Sequence, residues 1–512
     1  VNLPLITRAQ KHNEKIAIVA TEGTFTYRDL LHTSHQIATQ LLEIAHTNAS
    51  QSGSDQVTQD ANDLQEQRVA FMIPPGFQYV ATQWGIWRAG GIAVPLCMAH
   101  PRPELEYVIT HSRASILVVH PSFAEVLHPI AEAHHLAWLL TSDPLPPPSD
   151  RLPDIEISRR ALILYTSGTT GKPKGVITTH QIIQAQVTSL ITAWEWTDRD
   201  RILHVLPLHH IHGIINVLTC ALWAGAECHM LSKFDANVVW NCICAGDLTL
   251  FMAVPTIYAK LVVAWQAAAP DRQQQMSAGC AAMRLMVSGS AALPVQVLET
   301  WQQISGHFLL ERYGMTEIGM ALSNPLHGQR WAGYVGKPLP SVEVQLADET
   351  GAPVLSGMPG EIQVKGPTVF LEYWQNPAAT AKAFQQGWFC TGDMAIVEND
   401  NYRILGRISV DIIKTGGYKV SALEIEEVLR THPDIQECAV VGVADPEWGE
   451  RVCAALVLHP HRQLTLDALR QWGKEQLAVY KVPTRMLLLT ELPRNAMGKV
   501  TKPTIAELFS VQ

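Results

Sequence analysis

Residues 165–176 read Tyr-Thr-Ser-Gly-Thr-Thr-Gly-Lys-Pro-Lys-Gly-Val, an unbroken run of hydroxyl and glycine residues followed by two lysines. Glycine lets a backbone approach an anion and aim its N–H groups at it, while hydroxyls add donors and lysines add charge. Thr166, Ser167, Gly168, Thr169, Thr170, Gly171 and Lys174 are therefore candidate phosphate ligands. The run is not the G-x-x-x-x-G-K-[ST] loop of many NTPases, because Gly168 and Gly171 stand too close together and Lys172 precedes a proline. Ala-Leu-Ile-Leu at 161–164 and Gly-Val-Ile-Thr-Thr at 175–179 both read as strand. The loop is thus expected to join two strands instead of opening a helix.

The 512 residues suffice for more than one domain, and 47% apolar with 17% charged residues is an ordinary globular balance. A net charge of −9 with no basic patch argues against nucleic acid as a partner. No apolar run is long enough to span a bilayer. The nine cysteines include no C-x-x-C pair, Cys242 and Cys244 being the closest, so free thiols in a reducing, cytoplasmic compartment are expected. The sequence starts at Val1, and a removed organelle-targeting peptide is compatible with that reading.

Residues 23–42 read as a short strand running into an amphipathic helix with Thr26 as its N-cap. Residues 45–67 turn abruptly to Ser, Gln, Asn, Asp and Thr, and are expected to be a solvated, disordered insertion. Alternating strand and helix patterns around 68–73 and 114–120 indicate a layered α/β body. From about 335 to 397 the chain is strand-rich and punctuated by Gly and Pro, as in a small β subdomain; residues 422–429 are helical. The main boundary is placed at 405/406, giving domains 1–405 and 406–512.

Further segments stand in a fixed order behind the loop: Leu-Pro-Leu-His-His-Ile-His-Gly at 206–213, Val-Ser-Gly-Ser-Ala-Ala-Leu-Pro at 287–294 and Leu-Glu-Arg-Tyr-Gly-Met-Thr-Glu at 310–317. Trp-Phe-Cys-Thr-Gly-Asp at 388–393, Ile-Leu-Gly-Arg at 404–407 and Leu-Pro-Arg-Asn-Ala-Met-Gly-Lys-Val at 492–500 complete the set. The three histidines of the first segment suggest zinc in isolation, but no carboxylate or cysteine follows at ligand spacing. Together the segments resemble the adenylate-forming enzymes, the family of acyl-CoA synthetases, firefly luciferases and peptide-synthetase adenylation domains.

That resemblance implies an α/β fold: a large N-terminal domain of layered α/β subdomains with a small β-rich subdomain, and a smaller mobile α+β C-terminal domain. It implies that Tyr313 stacks on adenine, that Gly289, Ser290 and Ala291 back it, and that Gly314 and Met315 line nucleotide and acid alike. Thr316 would meet the α-phosphate, Glu317 with Thr166 would hold Mg²⁺, Asp393 and Arg407 would bind ribose, and His210 would gate the acid pocket. Lys499 would be the catalytic lysine between the attacking carboxylate and the α-phosphate. Gly416 and Gly417 would face nucleotide in one arrangement and coenzyme A in another. The segment Gly-Arg-Ile-Ser-Val-Asp-Ile-Ile-Lys at 406–414 carries one residue more than the family norm, which leaves the hinge at Ser409 or Val410.

The implied reaction is ATP-dependent formation of an acyl-adenylate and then an acyl-CoA thioester. The wording around 283–291, 311–320 and 493–499 is most similar to malonyl-CoA and methylmalonyl-CoA synthetases. A short diacid carries a second carboxylate, for which a guanidinium is the natural partner, and Arg284 is the expected one, aided by His210. The competing readings are a ligase for another small or aromatic acid, such as o-succinylbenzoate or acetoacetate, or a domain serving a carrier protein, which would be expected to adjoin a carrier domain. The expected partners are a short dicarboxylate, ATP and CoA, with the chain as monomer or homodimer.

Overall fold

The computed structural model describes residues 3–51, 63–166, 172–494 and 498–510. Every residue of the strands Leu250–Ala253 and Leu285–Ser288 is buried, as expected of parallel strands covered on both faces. They sit within a nine-stranded sheet ordered 337–338, 319–323, 310–315, 285–288, 250–253, 201–204, 227–230, 16–20 and 23–26. From 310–315 to 16–20 the neighbours run parallel. In such sheets ligands gather beyond the carboxyl ends of the strands.

A seven-stranded sheet carries the strands Arg160–Thr166 and Lys174–Thr179 next to Ile92–Pro95. The helix Phe77–Arg88 touches both large sheets, and Trp84 and Trp87 are among its many buried residues. A helix buried on nearly every side, as this one is, belongs between two sheets. A five-stranded antiparallel sheet comes next, between residues 343 and 407, and a last five-stranded sheet with its helices forms the C-terminal region. The chain passes from one to the other through a tight turn at 408–411, where the Val410 and Asp411 N–H groups both donate to the Arg407 carbonyl. The α/β architecture with a β-rich subdomain and an α+β C-terminal region is as expected from sequence.

Thr26 caps the helix Tyr27–Gln51 reciprocally: its hydroxyl accepts from the Asp29 N–H at 3.2 Å and its own N–H donates to Asp29 Oδ2 at 2.7 Å. The insertion read at 45–67 needs correcting at both ends. The helix continues through Gln51, and Leu64 is fully buried while Asp63 and Glu66 pair with Arg159 and Arg160. One apolar anchor and two ion pairs order a segment whose composition alone reads as solvated. All nine cysteines are free thiols. Among the described residues no helix is long and apolar enough to cross a membrane.

Candidate active site

Thr166 lies opposite Lys174 where the strands Arg160–Thr166 and Lys174–Thr179 pair antiparallel, so the glycine–threonine segment does connect two strands. Ser167, Gly168, Thr169, Thr170 and Gly171 themselves lie outside the described residues. Lys174 Nζ rests 4.9 Å from the ring centroid of Tyr373, whose hydroxyl donates to Glu317 Oε1 at 2.9 Å. Burial pushes the Glu317 pKa up, and Tyr373, Arg407 and Lys174 pull against it. A buried carboxylate of this kind gains from a nearby cation. Mg²⁺ takes oxygen donors and commonly uses one or two carboxylates together with substrate phosphates. Glu317 with the half-buried Thr166 hydroxyl fits that donor set, and no cluster of three or more His, Cys, Asp or Glu ligands occurs among the described residues.

Next to Glu317 stands a wall built by Tyr313, Asp393 and Arg407. Tyr313 donates its hydroxyl to Asp393 Oδ2 at 2.6 Å, and Arg407 grips the same carboxylate at 2.9 and 3.1 Å. Three of the four lone-pair positions of Asp393 are thus filled, so binding two ribose hydroxyls requires Tyr313 or Arg407 to yield a bond. Gly314 must be glycine, since a Cβ there would fall 2.1 Å from the Gly319 carbonyl. Met315 and Thr316 are half-buried at the end of the strand Leu310–Met315. Ser290 takes the left-handed conformation (φ +70°) and its hydroxyl meets His212 Nδ1 at 3.1 Å; Ala291 beside it is exposed.

The histidine segment enters a buried π-helical turn, His212–Thr219, a wide winding often found at functional sites. His204 is held neutral, donating from Nε2 to the Gly213 carbonyl at 3.0 Å while its Nδ1 accepts from the Leu206 N–H. Burial brings its pKa down to about 4. His210 and His212 are also driven well below the usual imidazole range, chiefly by burial and then by neighbouring cations, Lys499 among them. Their Nε2 atoms are buried without a hydrogen-bond partner among the described residues.

Arg312 is the group the motif reading passed over. It is 4% exposed, and its Nε and Nη2 have no partner among the described residues. Burial pulls its pKa down to about 9, which still leaves it charged at neutral pH. The guanidinium crosses the end of the strand Leu285–Ser288 at Gly289, where a Cβ would lie 2.5 Å from Arg312 Cζ. Gly289 thus makes room for a buried cation. Lys499 is exposed as a residue, but its ammonium is turned into the protein near the same groups. The protein around its ammonium lowers its pKa, as do Arg407 and Arg312, while Asp393 opposes them. Lys499 therefore lies within electrostatic reach of both the Asp393–Arg407 wall and Arg312. The signal for Arg312 was in the sequence: Glu311-Arg312-Tyr313 puts three polar side chains in a row inside a buried strand, so one of them must meet something other than core.

Contrary to the expectation from sequence, the structure does not bring Arg284 to these groups; its donors are taken elsewhere. It precedes the strand Leu285–Ser288, at the amino end of the parallel sheet, with the whole strand between it and Gly289. Its Nε and Nη2 each donate to Asp200 at 2.7 Å and its Nη1 to the Trp194 carbonyl at 2.8 Å. Thr249 precedes the adjacent strand and Asp200 the one beyond it, so the three residues tie three strand starts together. Gly416 and Gly417, both with positive φ, close the two-residue turn between the strands Ile412–Thr415 and Tyr418–Ser421, a position that favours glycine. Gly416 packs against Trp448, and the neighbouring Lys419 pairs with Glu349. The structure does not bring this turn to the groups around Glu317. Ser409 and Val410 both lie in the turn 408–411.

Residues 56–374 match the model of the AMP-binding enzyme family, and residues 424–499 match that of the AMP-binding enzyme C-terminal domain. The mitochondrial malonate–CoA ligase of Xenopus laevis is 43% identical, over 100% of this chain and 92% of its own length. That of Mus musculus is 45% identical over 98% and 90%. The ATP-bound crystal structure of MatB from Rhodopseudomonas palustris superposes with a TM-score of 0.87 at 31% identity, covering 99% of both chains.

Proposed function

The chain belongs to the AMP-binding enzyme family, and from that premise we propose that it joins malonate to coenzyme A, splitting ATP to AMP and pyrophosphate. It is an AMP-forming acid–CoA ligase. The observation that carries the choice of acid is Arg312, a buried cation with donors unused beside the residues that would handle the reacting carboxylate. An unpaired buried charge costs several kcal/mol, and a substrate carboxylate removes that cost while a methyl group leaves it in place. The site therefore favours a diacid over a monoacid.

In this reading one carboxylate of malonate pairs with the Arg312 guanidinium, and neutral His210 and His212 offer ring nitrogens beside it. The other carboxylate attacks the α-phosphorus of ATP. The bond to the pyrophosphate oxygen breaks and malonyl-AMP forms. Lys499 places its ammonium where negative charge collects on the reacting oxygens, stabilisation that is worth most in a cleft with little water. Glu317 and Thr166 would hold Mg²⁺, which neutralises charge on the departing phosphates when bound. Tyr313, Gly289, Ser290 and Ala291 would seat the adenine, with Asp393 and Arg407 at the ribose. A CoA thiol then attacks the acyl carbonyl and AMP leaves with the electron pair of the broken C–O bond. Most of the acceleration comes from positioning and charge neutralisation.

An acid panel tests this. Pyrophosphate release from ATP should be far faster with malonate or methylmalonate than with acetate, octanoate, benzoate or o-succinylbenzoate. Best turnover with a monocarboxylate would reject the diacid.

A further inference from the structure

Lys502 opens the last helix, Lys502–Ser510, three residues beyond Lys499. Its ammonium lies 2.5 Å from Asp411 Oδ1 and 2.7 Å from Glu426 Oε1, with all three groups largely buried. Burial alone would lower its pKa, but Glu426 and Asp411 outweigh that and hold it above the ordinary value. Buried ion pairs are often replaceable by apolar side chains without loss of stability, so stability alone does not account for these charges. What the pair does supply is a fixed geometry.

That geometry links specific parts. The second oxygen of Asp411 accepts the Arg407 N–H at 2.9 Å, across the turn 408–411, and the Arg407 side chain holds Asp393 in the nucleotide wall. Glu426 accepts the Val440 N–H and bonds Arg430, which pairs with Glu427 at 2.6 Å. Glu427 in turn accepts, at 3.4 Å, the N–H of Val295, the first residue of the helix after residues 289–294. The segment bearing Lys499 joins this network directly. Arg494 bridges to Val500, the Thr501 N–H donates to the Pro493 carbonyl at 2.8 Å, and Lys502 comes next.

We propose that Lys502 is a positioning residue for Lys499, fixing the lysine segment to the inter-domain turn through Asp411 so that Lys499 is delivered into the cleft for the adenylation step. The inference rests on the reading of Lys499 as the adenylation lysine. Its test is to measure the two half-reactions separately in the full chain: ATP–pyrophosphate exchange with malonate, and thioester formation from supplied malonyl-AMP and CoA.

Asp411→Asn cuts the tie to the turn while leaving Lys502 paired with Glu426. It should lower kcat for exchange by about tenfold, with the KM for ATP changed by less than about threefold and the thioester step within about twofold of wild type. Lys502→Met should show the same split, Lys502→Arg should restore most of the exchange rate, and the double variant Asp411→Asn/Lys502→Met should lose no more than Lys502→Met alone. Unchanged exchange in Asp411→Asn would overturn the proposal, as would equal loss of both half-reactions. Lys499→Ala is the separate control: equal loss of both steps there overturns the reading of Lys499, whatever Asp411 and Lys502 do.

Discussion

Arg284 precedes the strand Leu285–Ser288, and Arg312 lies just beyond that strand's other end, on the neighbouring parallel strand Leu310–Met315; what separates their roles is where their donors go. At the amino end, Arg284 spends its donors on Asp200 and a backbone carbonyl. At the carboxyl end, Arg312 is more deeply buried, yet its Nε and Nη2 have no partner among the described residues. A satisfied ion pair describes structure, whereas a buried cation with unused donors is what the proposed function reads as a place kept for an anion. The state of the hydrogen bonds, and not the residue type, separates the two roles.

The largest expected effect comes from Arg312→Ala. Losing a buried charge pair with the substrate costs about 3–5 kcal/mol, so kcat/KM for malonate should fall by roughly 10²–10⁴-fold while the folded protein keeps its thermal stability or gains some. A steady-state assay and a melting curve check both halves. Arg284→Ala should do the reverse, leaving the kinetics of the active enzyme near wild type while costing about 3 kcal/mol of stability. Burial disfavours the charged form of Asp200, but Arg284, the Thr197 N–H and the Thr249 hydroxyl outweigh it and keep its pKa below the usual carboxylate value. The stability this supplies is present above the unfolded-state pKa and is lost as pH falls through the lower folded one. The cost of Arg284→Ala should therefore be full at neutral pH and shrink in acid, as denaturant melts at pH 7 and pH 3 would reveal.

A smaller effect sharpens the contrast from the next residue along. Burial raises the pKa of Glu311 to about 8, against the Gly333 and Leu293 N–H groups, and Glu427 adds to the rise. A carboxyl whose folded pKa is raised weakens the fold as pH climbs from its unfolded value towards 8. Glu311→Gln should thus be more stable than wild type at pH 8, by on the order of 1 kcal/mol or more, and no more stable near pH 4. A stability difference that does not depend on pH would contradict the burial account.

How far the sequence reached divides along the same line. The strand–loop–strand frame around Lys174 and the helix from Tyr27 were legible because each is a local pattern of β-branched, turn or capping residues; the clasp of Asp393 by Arg407 across two adjacent strands was not. Arg284 stands before a strand leading to Gly289, and spacing along a chain does not say which end of a sheet a ligand meets. The partner that cancels it, Asp200, lies 84 residues away and becomes its neighbour only through parallel pairing of three strands. Arg312 was hidden by its motif, where Tyr313 and Glu317 drew the chemical reading and the arginine between Glu311 and Tyr313 drew none. The ordered ends of the polar segment were missed for a related reason: Asp63 and Glu66 find Arg159 and Arg160 across the fold, and composition carries no record of that.

The most direct measurement of the central claim is the ratio of kcat/KM for malonate to that for butyrate, taken on wild type and on Arg312→Met. A guanidinium that receives the far carboxylate predicts a wild-type ratio well above about 10² that collapses to near unity or inverts in the variant, with butyrate turnover retained or improved. A ratio left intact by Arg312→Met, or lost equally for both acids, would contradict it.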